Sequence, residues 1–230
     1  MPDEKKDTIL ECINLYKSFQ TGAGRLDVLK GVDLEVKQGE ILAVIGASGV
    51  GKSTLLHILG ALDKPTRGEV RYGGKSIFSF KDKELARFRN RKIGFVFQFH
   101  HLLPEFSALE NVMMPRLIAG EEKENIIDKA LKLLSRVGIE DRATHRPAEL
   151  SGGEQQRVAV ARALISDPEL VIADEPSGNL DQKNAQGLHN LLKELNQNQG
   201  YTFVIATHNQ SLAQTAERII TLKDGKAVLN

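Results

Sequence analysis

Apolar and polar residues alternate along residues 9–15, 28–36 and 68–72, and Gly- and Asp-containing turns separate the three stretches. Period-two alternation is the mark of strands with one buried face, so these stretches predict short antiparallel strands in a small β subdomain. The run ILAVI at 41–45 is apolar at every position, as a strand covered on both faces must be. Residues 52–62 behind it have helical spacing. The runs LVIA at 170–173 and FVIA at 203–206 share that buried-strand character, each after a helical stretch, which predicts an α/β fold with a mainly parallel core sheet. No such run occurs between 98 and 150. There, residues 108–117 and 125–137 repeat at the helical period with charges opposite, predicting an inserted helical subdomain, placed at 99–155. With no repeat or linker, residues 1–230 read as one domain.

Composition narrows the partners more than the fold. Thirty-one Lys and Arg against 30 Asp and Glu give a formal net charge of +1, so no global field favours nucleic acid, and no nucleic-acid partner is expected. Cys12 is the sole cysteine, which excludes an intrachain disulfide and a multi-thiolate metal site and fits a reducing cytosol. The apolar runs fall far short of the ~20 residues a membrane-spanning helix needs. The opening MPDEKKDT is polar, with no apolar segment behind it, so no secretory signal is read. A cytoplasmic chain, at most peripheral to a membrane, is expected.

Residues 46–54 read GASGVGKST, which matches G-x-x-x-x-G-K-[ST] between an expected strand and an expected helix. Gly46, Gly49 and Gly51 let the backbone curl, so that the amides around Ala47, Ser48 and Val50 face an anion at the positive end of the helix. In that pattern Lys52 reaches the β- and γ-phosphates, Ser53 ligates Mg²⁺, and Thr54 adds a phosphate contact, so the expected ligand is Mg-ATP. Asp174 and Glu175 follow the run at 170–173, at the strand end where open α/β sheets place their ligands. Asp174 is expected to hold the Mg²⁺ shell and Glu175 to orient or deprotonate the attacking water. His208 follows the run at 203–206 and is expected near the γ-phosphate, whereas His57, His145 and His189 are read as ordinary loop residues. At 150–155 the chain reads LSGGEQ. Ser151 and Glu154 have the spacing of a capping box, so a helix starts here. Gly152 and Gly153 then cost helix propensity for no packing gain, a cost that bare amides facing an anion would explain.

The LSGGEQ segment resembles the signature of ATP-binding-cassette ATPases, and the motifs above stand in that family's order across nearly the whole chain. The resemblance implies a P-loop NTPase cassette that works as a pair of copies, with the helix tip at Ser151, Gly152 and Gly153 contacting the γ-phosphate held by the other copy. It implies that Gln98 links Mg²⁺ and the catalytic water to the helical lobe. It also matches SGNLD at 177–181 to the loop whose Asp181 faces the second copy; the more usual wording has Ala where Asn179 stands. Aligning KSF at 17–19 with the family's Lys-Thr-Tyr makes Phe19 the adenine-stacking aromatic, with Tyr16 the alternative.

The stretch QFHHLLPEFSALENVMMP at 98–115 is similar to the wording of the lipoprotein-releasing (Lol) ATPases, with Glu105 and Phe97 in place of the more familiar Asp and Tyr. That similarity implies integral membrane transporter subunits docking on this lobe at the cytoplasmic side of a bacterial inner membrane. Macrolide-exporter and cell-division types share the same cassette. A soluble cassette ATPase serving DNA or translation is a different class, usually built from two fused cassettes or a long coiled-coil insertion. Adjacent His100 and His101 without other ligands nearby are read as surface shape rather than a metal site. Phe99, Leu102, Leu103 and Phe106 either face a partner or form core beneath a loop.

Overall fold

The computed structural model describes residues 7–22 and 24–229; the opening residues 1–6, part of the stretch read against a secretory signal, lie outside them. A long hairpin of β1 (Thr8–Thr21) and β2 (Gly24–Lys37) joins β4 (Arg67–Tyr72) and β5 (Lys75–Ser76) in an antiparallel sheet ordered β2-β1-β4-β5. The hairpin runs past the stretches read from alternation. Its outer half, from Ser18–Asp27 to Thr21–Gly24, is paired but largely exposed, and so carries no period-two signal.

The second sheet holds β3 (Ile41–Ile45), β6 (Ile93–Phe97), β7 (Leu170–Asp174), β8 (Phe203–Ala206), β9 (Arg218–Lys223) and β10 (Lys226–Leu229), in the order β10-β9-β3-β8-β7-β6. All neighbours are parallel except β9 and β10, which form an antiparallel edge. Neighbouring residues along one strand feed opposite cores: Ile41, Val171 and Phe203 pack on one face, and Leu42, Ile172 and Val204 on the other. This is the reason those runs are apolar throughout.

The helices are α1 (Lys52–Leu59), α2 (Asp82–Lys92), α3 (Ala108–Ile118), α4 (Lys123–Arg136), α5 (Gly152–Leu164), α6 (Gln182–Gln199) and α7 (Gln210–Ala213). One face of the parallel sheet packs on α1 and the antiparallel sheet; the other packs on α5 and α6 and is continuous with the apolar sides of α3 and α4. The first helix stops at Leu59, short of the expected 62, because Gly60 closes it and Ala61 turns left-handed at φ 56°. Caps at the other ends follow the sequence: Ser107 with Glu110, and Ser151 with Glu154, form reciprocal boxes, and Asp181 accepts from the Asn184 amide to start α6.

Strand β6 was not among the expected elements, yet it borders β7 and delivers Gln98. Its Gly94 is sterically required: a Cβ there would lie 2.4 Å from the Ala163 carbonyl oxygen in α5. We therefore expect Gly94→Ala to push α5 off the sheet and destabilise the protein by about 1–3 kcal/mol, the usual range for overpacking. The midpoint of urea unfolding checks this; an unchanged midpoint would mean that α5 can yield freely.

Candidate active site

Beyond Ile45 the chain leaves the sheet through the glycine-rich loop. Gly46 has φ 153° and a Cβ on it would meet the Leu222 carbonyl oxygen at 2.5 Å; Gly51 has φ 108° and a Cβ would meet Val28 Cγ1 at 2.7 Å. Both positions demand glycine because the loop runs against β9 and β2 while curling left-handed. Helix α1 begins straight after Gly51, with no side chain capping its first amides. An uncapped N-terminus preceded by a curled loop is an anion cradle. Ala47, Ser48, Gly49 and Ser53 on its rim are exposed, and Val50 and Thr54 are half-buried. Lys52 is 8 % exposed. Its Nζ donates to the carbonyls of Gly46 at 2.9 Å and Ala47 at 3.2 Å, so the ammonium lies folded into the loop.

Parallel pairing brings the acidic pair and the histidine to the same edge. Ala206 pairs with Val44 on one side and with Asp174 on the other, so β3, β8 and β7 end level. Glu175 leaves β7 at φ 46°, a strained conformation for a side-chain-bearing residue, held by its amide donating to the Ala206 carbonyl at 2.9 Å. Its carboxylate is only 15 % exposed. His208 Nδ1 lies 2.9 Å from Oε1, and Thr207 Oγ1 and the His208 amide each donate to Oε2 at 3.3 Å. Because a carboxylate can only accept, Nδ1 carries the hydrogen in that contact. Lys52 Nζ stands 4.0 Å from Oε1. The phosphate-loop lysine, the expected base and the expected phosphate-sensing histidine thus form one ionic cluster.

Asp174 makes a cation site chemically sensible. Its Oδ1 is buried and has no partner among the described residues, a costly state for a carboxylate oxygen unless another group completes it. With the exposed Ser53 hydroxyl and the amide of Gln98 it offers hard oxygen donors of the type Mg²⁺ takes, with few protein ligands and the rest from phosphate and water. Among the described residues no cluster of three or more His, Cys, Asp or Glu could hold a metal. His101 packs edge-on against Phe97 at 5.4 Å instead, and Arg162 of α5 donates to the carbonyls of both histidines.

The loop after Glu175 touches Gln98, α6 and the start of α5. Asn179 and Gln98 exchange hydrogen bonds, and Gly178 lies against the Gln98 amide. Ser177 bonds the buried His189 of α6 at 2.9 Å, and His189 reaches Ser211 of α7 at 3.3 Å. His189 is therefore not the loop residue expected but a buried residue of α6, clamped between the loop after Glu175 and α7; its surroundings, not its spacing, carry that information. Asp181 is exposed and caps α6.

The signature tip requires one correction. Gly153 does have a packing reason, because a Cβ there would meet Asn184 Oδ1 at 2.6 Å; only Gly152, with Leu180 Cδ2 at 3.7 Å, has room for a side chain. The Ser151 amide, followed by Arg142, holds the Glu154 carboxyl down at about 2, so the capping box stays ionised. Ser151 is exposed, and among the described residues no hydrogen bond joins it to the phosphate loop, Asp174 or Glu175 of its own chain.

Tyr16 is already covered, with the Arg67 guanidinium 4.5 Å from its ring centroid, whereas Phe19 is 39 % exposed with Lys17 Nζ at 4.9 Å from its ring centroid. Phe99 is 64 % exposed. A groove of about 480 Å³ runs between α2, β6 and α3, lined by Leu62, Phe95, Phe97, Met114, Pro115 and Ile118. Leu102 packs on the core, so the apolar cluster at 99–106 is divided between core and surface. Cys12 is buried, and desolvation pushes its thiol up to about 12, so it is chemically quiet. No helix of the described residues is long and apolar enough to cross a membrane.

Comparison with known proteins gives the same picture. A family model described as ABC transporter matches residues 29–178. The chain is 55 % identical over 221 residues to the lipoprotein-releasing system ATP-binding protein LolD of Geobacter metallireducens, covering 96 % of this chain and 98 % of that one. It is 54 % identical to the protein of that name from Syntrophus aciditrophicus, covering 96 % and 99 %. Among solved structures, the dimeric post-hydrolysis state of the ATP-binding cassette MJ0796 bound to ADP and Pi superposes with a TM-score of 0.87 at 42 % identity, over 95 % of this chain and 96 % of that one. A further dimeric structure of MJ0796, a bacterial ABC transporter cassette, gives the same TM-score at 43 % identity, over 95 % and 96 %. The chain belongs to the ATP-binding-cassette transporter family, as one of its ATP-hydrolysing cassettes.

Proposed function

We propose that this cassette powers a lipoprotein-releasing transporter from the cytoplasmic side of a bacterial inner membrane. The observation that carries the reading is 52–55 % identity, over 95–96 % of the chain, to three proteins each named as the ATP-binding protein of that system. The exposed Phe99 ring and the apolar groove between α2, β6 and α3 support docking of integral membrane subunits on the lobe at 99–155. Affinity capture of the native protein should therefore recover integral membrane proteins, and Phe99→Glu should abolish that recovery while leaving the ATPase rate of the isolated cassette unchanged. Recovery of ribosomes or DNA-repair proteins alone would reject the transport reading.

In the proposed mechanism the triphosphate lies in the cradle of residues 46–54, with adenine stacked on Phe19 and Lys52 swung from the Gly46 and Ala47 carbonyls to the β- and γ-phosphates. Ser53, Asp174 and Gln98 hold Mg²⁺, which when bound neutralises phosphate charge and orients the γ-phosphoryl group. Glu175 positions the attacking water and accepts its proton as the water oxygen bonds to the γ-phosphorus and the bond to the β–γ bridging oxygen breaks. His208 secures that carboxylate through Nδ1 and, when its ring carries both hydrogens, donates from Nε2 to a γ-phosphate oxygen. Ser151, Gly152 and Gly153 act on the nucleotide of a second copy, and Asp181 faces that copy. The lack of any bond between Ser151 and its own phosphate loop supports this arrangement, as do the dimeric forms of the similar cassette.

Glu175→Gln should keep ATP affinity, reduce turnover by about 10²–10⁴-fold, the range for loss of a positioned base, and accumulate an ATP-dependent dimer in size-exclusion chromatography. Turnover at the parental rate would remove Glu175 from this role. Lys52→Ala should weaken ATP binding by about ten- to a hundredfold, the worth of a hydrogen bond to a charged group, measured by equilibrium titration. Undiminished affinity would count against the phosphate loop.

A further inference from the structure

We propose that Asn179 is a positioning residue for Gln98: it fixes which way the Gln98 amide faces, so that Oε1 is the atom offered to the cation. The inference rests on the reading of Gln98 as a Mg²⁺ contact and goes beyond it by assigning the group that aims it.

The argument starts from a backbone carbonyl. Amide oxygen and nitrogen are hard to tell apart, so an Asn or Gln orientation has meaning only if the bonding network forces it. Asn179 Nδ2 lies 3.2 Å from the main-chain oxygen of Gln98. A carbonyl only accepts, so this end of Asn179 must be the NH₂ group. Its other end, Oδ1, then faces the Gln98 side chain at 3.0 Å from Nε2. Oδ1 also only accepts, so Gln98 must turn its own NH₂ toward it, and neither amide can flip without facing like against like. Gln98 Oε1 makes no hydrogen bond among the described residues and is left as the free oxygen. Gly178 supplies the space, since a Cβ there would fall 2.9 Å from Gln98 Nε2 and 3.1 Å from Cδ.

An alanine at position 179 could make neither bond, and the Gln98 amide would rotate freely. The pair also ties the glutamine after β6 to the loop that carries Asp181, whose bond to Asn184 places that residue against Gly153 of α5. Cation engagement by Gln98 and the placement of the partner-facing Asp181 are thereby linked through one pair of amides.

The test is equilibrium binding of Mn²⁺, read by electron paramagnetic resonance, to protein saturated with the non-hydrolysable nucleotide AMP-PNP. Wild type, Asn179→Ala, Gln98→Ala and the double variant are compared. Asn179→Ala should weaken Mn²⁺ binding about three- to tenfold, the worth of one or two neutral hydrogen bonds. AMP-PNP affinity without metal and the thermal unfolding midpoint should stay at the wild-type values. In the Gln98→Ala background the Asn179 substitution should have no further effect, as a double-mutant cycle requires of two residues acting through one contact. Parental Mn²⁺ affinity in Asn179→Ala, with Gln98→Ala weakened, would overturn the inference, as would additive losses in the double variant. Parental affinity in Gln98→Ala would instead remove the underlying reading of Gln98.

Discussion

The level ending of β3, β8 and β7 is the constraint on which the site depends. Parallel pairing of Val44 with Ala206 and of Ala206 with Asp174 brings three chain crossings to one edge. Each strand then turns out by a different device: glycine at 46, a left-handed Glu175, and Thr207 ahead of His208. A one-residue slip in either pairing would exchange the two apolar faces of a strand and carry its terminal residue to the wrong side. The doubly buried sheet thus enforces the register of the chemistry. The same ladder holds Glu175 in its strained turn through the Ala206 carbonyl, so the fold stabilises a conformation that the residue alone would not adopt.

The segment 177–184 gathers the remaining parts. Within a few residues it bonds α6 and α7 through His189, Gln98 through Asn179, and the start of α5 through Asn184 and Gly153. Most of these contacts are short polar bonds over a packed interior, and the interior is poorly deformable. Displacement of this loop by a second copy would therefore be felt at the glutamine, at the histidine-bearing loop and at the signature helix together. On the proposed two-copy mechanism, this would be a physical route by which closure bears on the catalytic edge.

Much of this was readable from residues alone where burial and period coincide. The runs at 41–45, 170–173 and 203–206 are apolar throughout because they lie between two cores, and the cap at Ser151 follows from local hydrogen bonding; the cap that Asp181 makes for α6 lay outside that reading. Strand β6 escaped notice because Gly94 interrupts a short run and because α2 before it is charged nearly all round, with Leu85 its one buried residue. The outer hairpin escaped because neither of its faces is buried. Gly153 was given an anion-binding reason because its neighbour Asn184 is distant in sequence. For the same cause Asn179 read as a variant letter, whereas in three dimensions it has a definite bonding partner in Gln98.

The charge balance of the site explains why nucleotide, cation and second copy belong together. The carboxylates of Asp174 and Glu175 share this strand edge with the Lys52 ammonium, which already lies 4.0 Å from Glu175. A triphosphate entering this edge meets no excess of positive side chains. Its attraction must come from main-chain amides and the helix end, which act as partial charges, while its repulsion comes from nearby carboxylates in a half-buried setting where screening is weak. Divalent charge between Asp174 and the phosphates removes much of that repulsion. The bare amides at another copy's Ser151–Gly153 tip would add attraction without bringing another carboxylate close, because Glu154 there is turned back onto Ser151 and Arg142. On the proposed mechanism, a cassette built this way would hold its substrate weakly until both contributions were present, which would make closure of the pair conditional on the intact triphosphate.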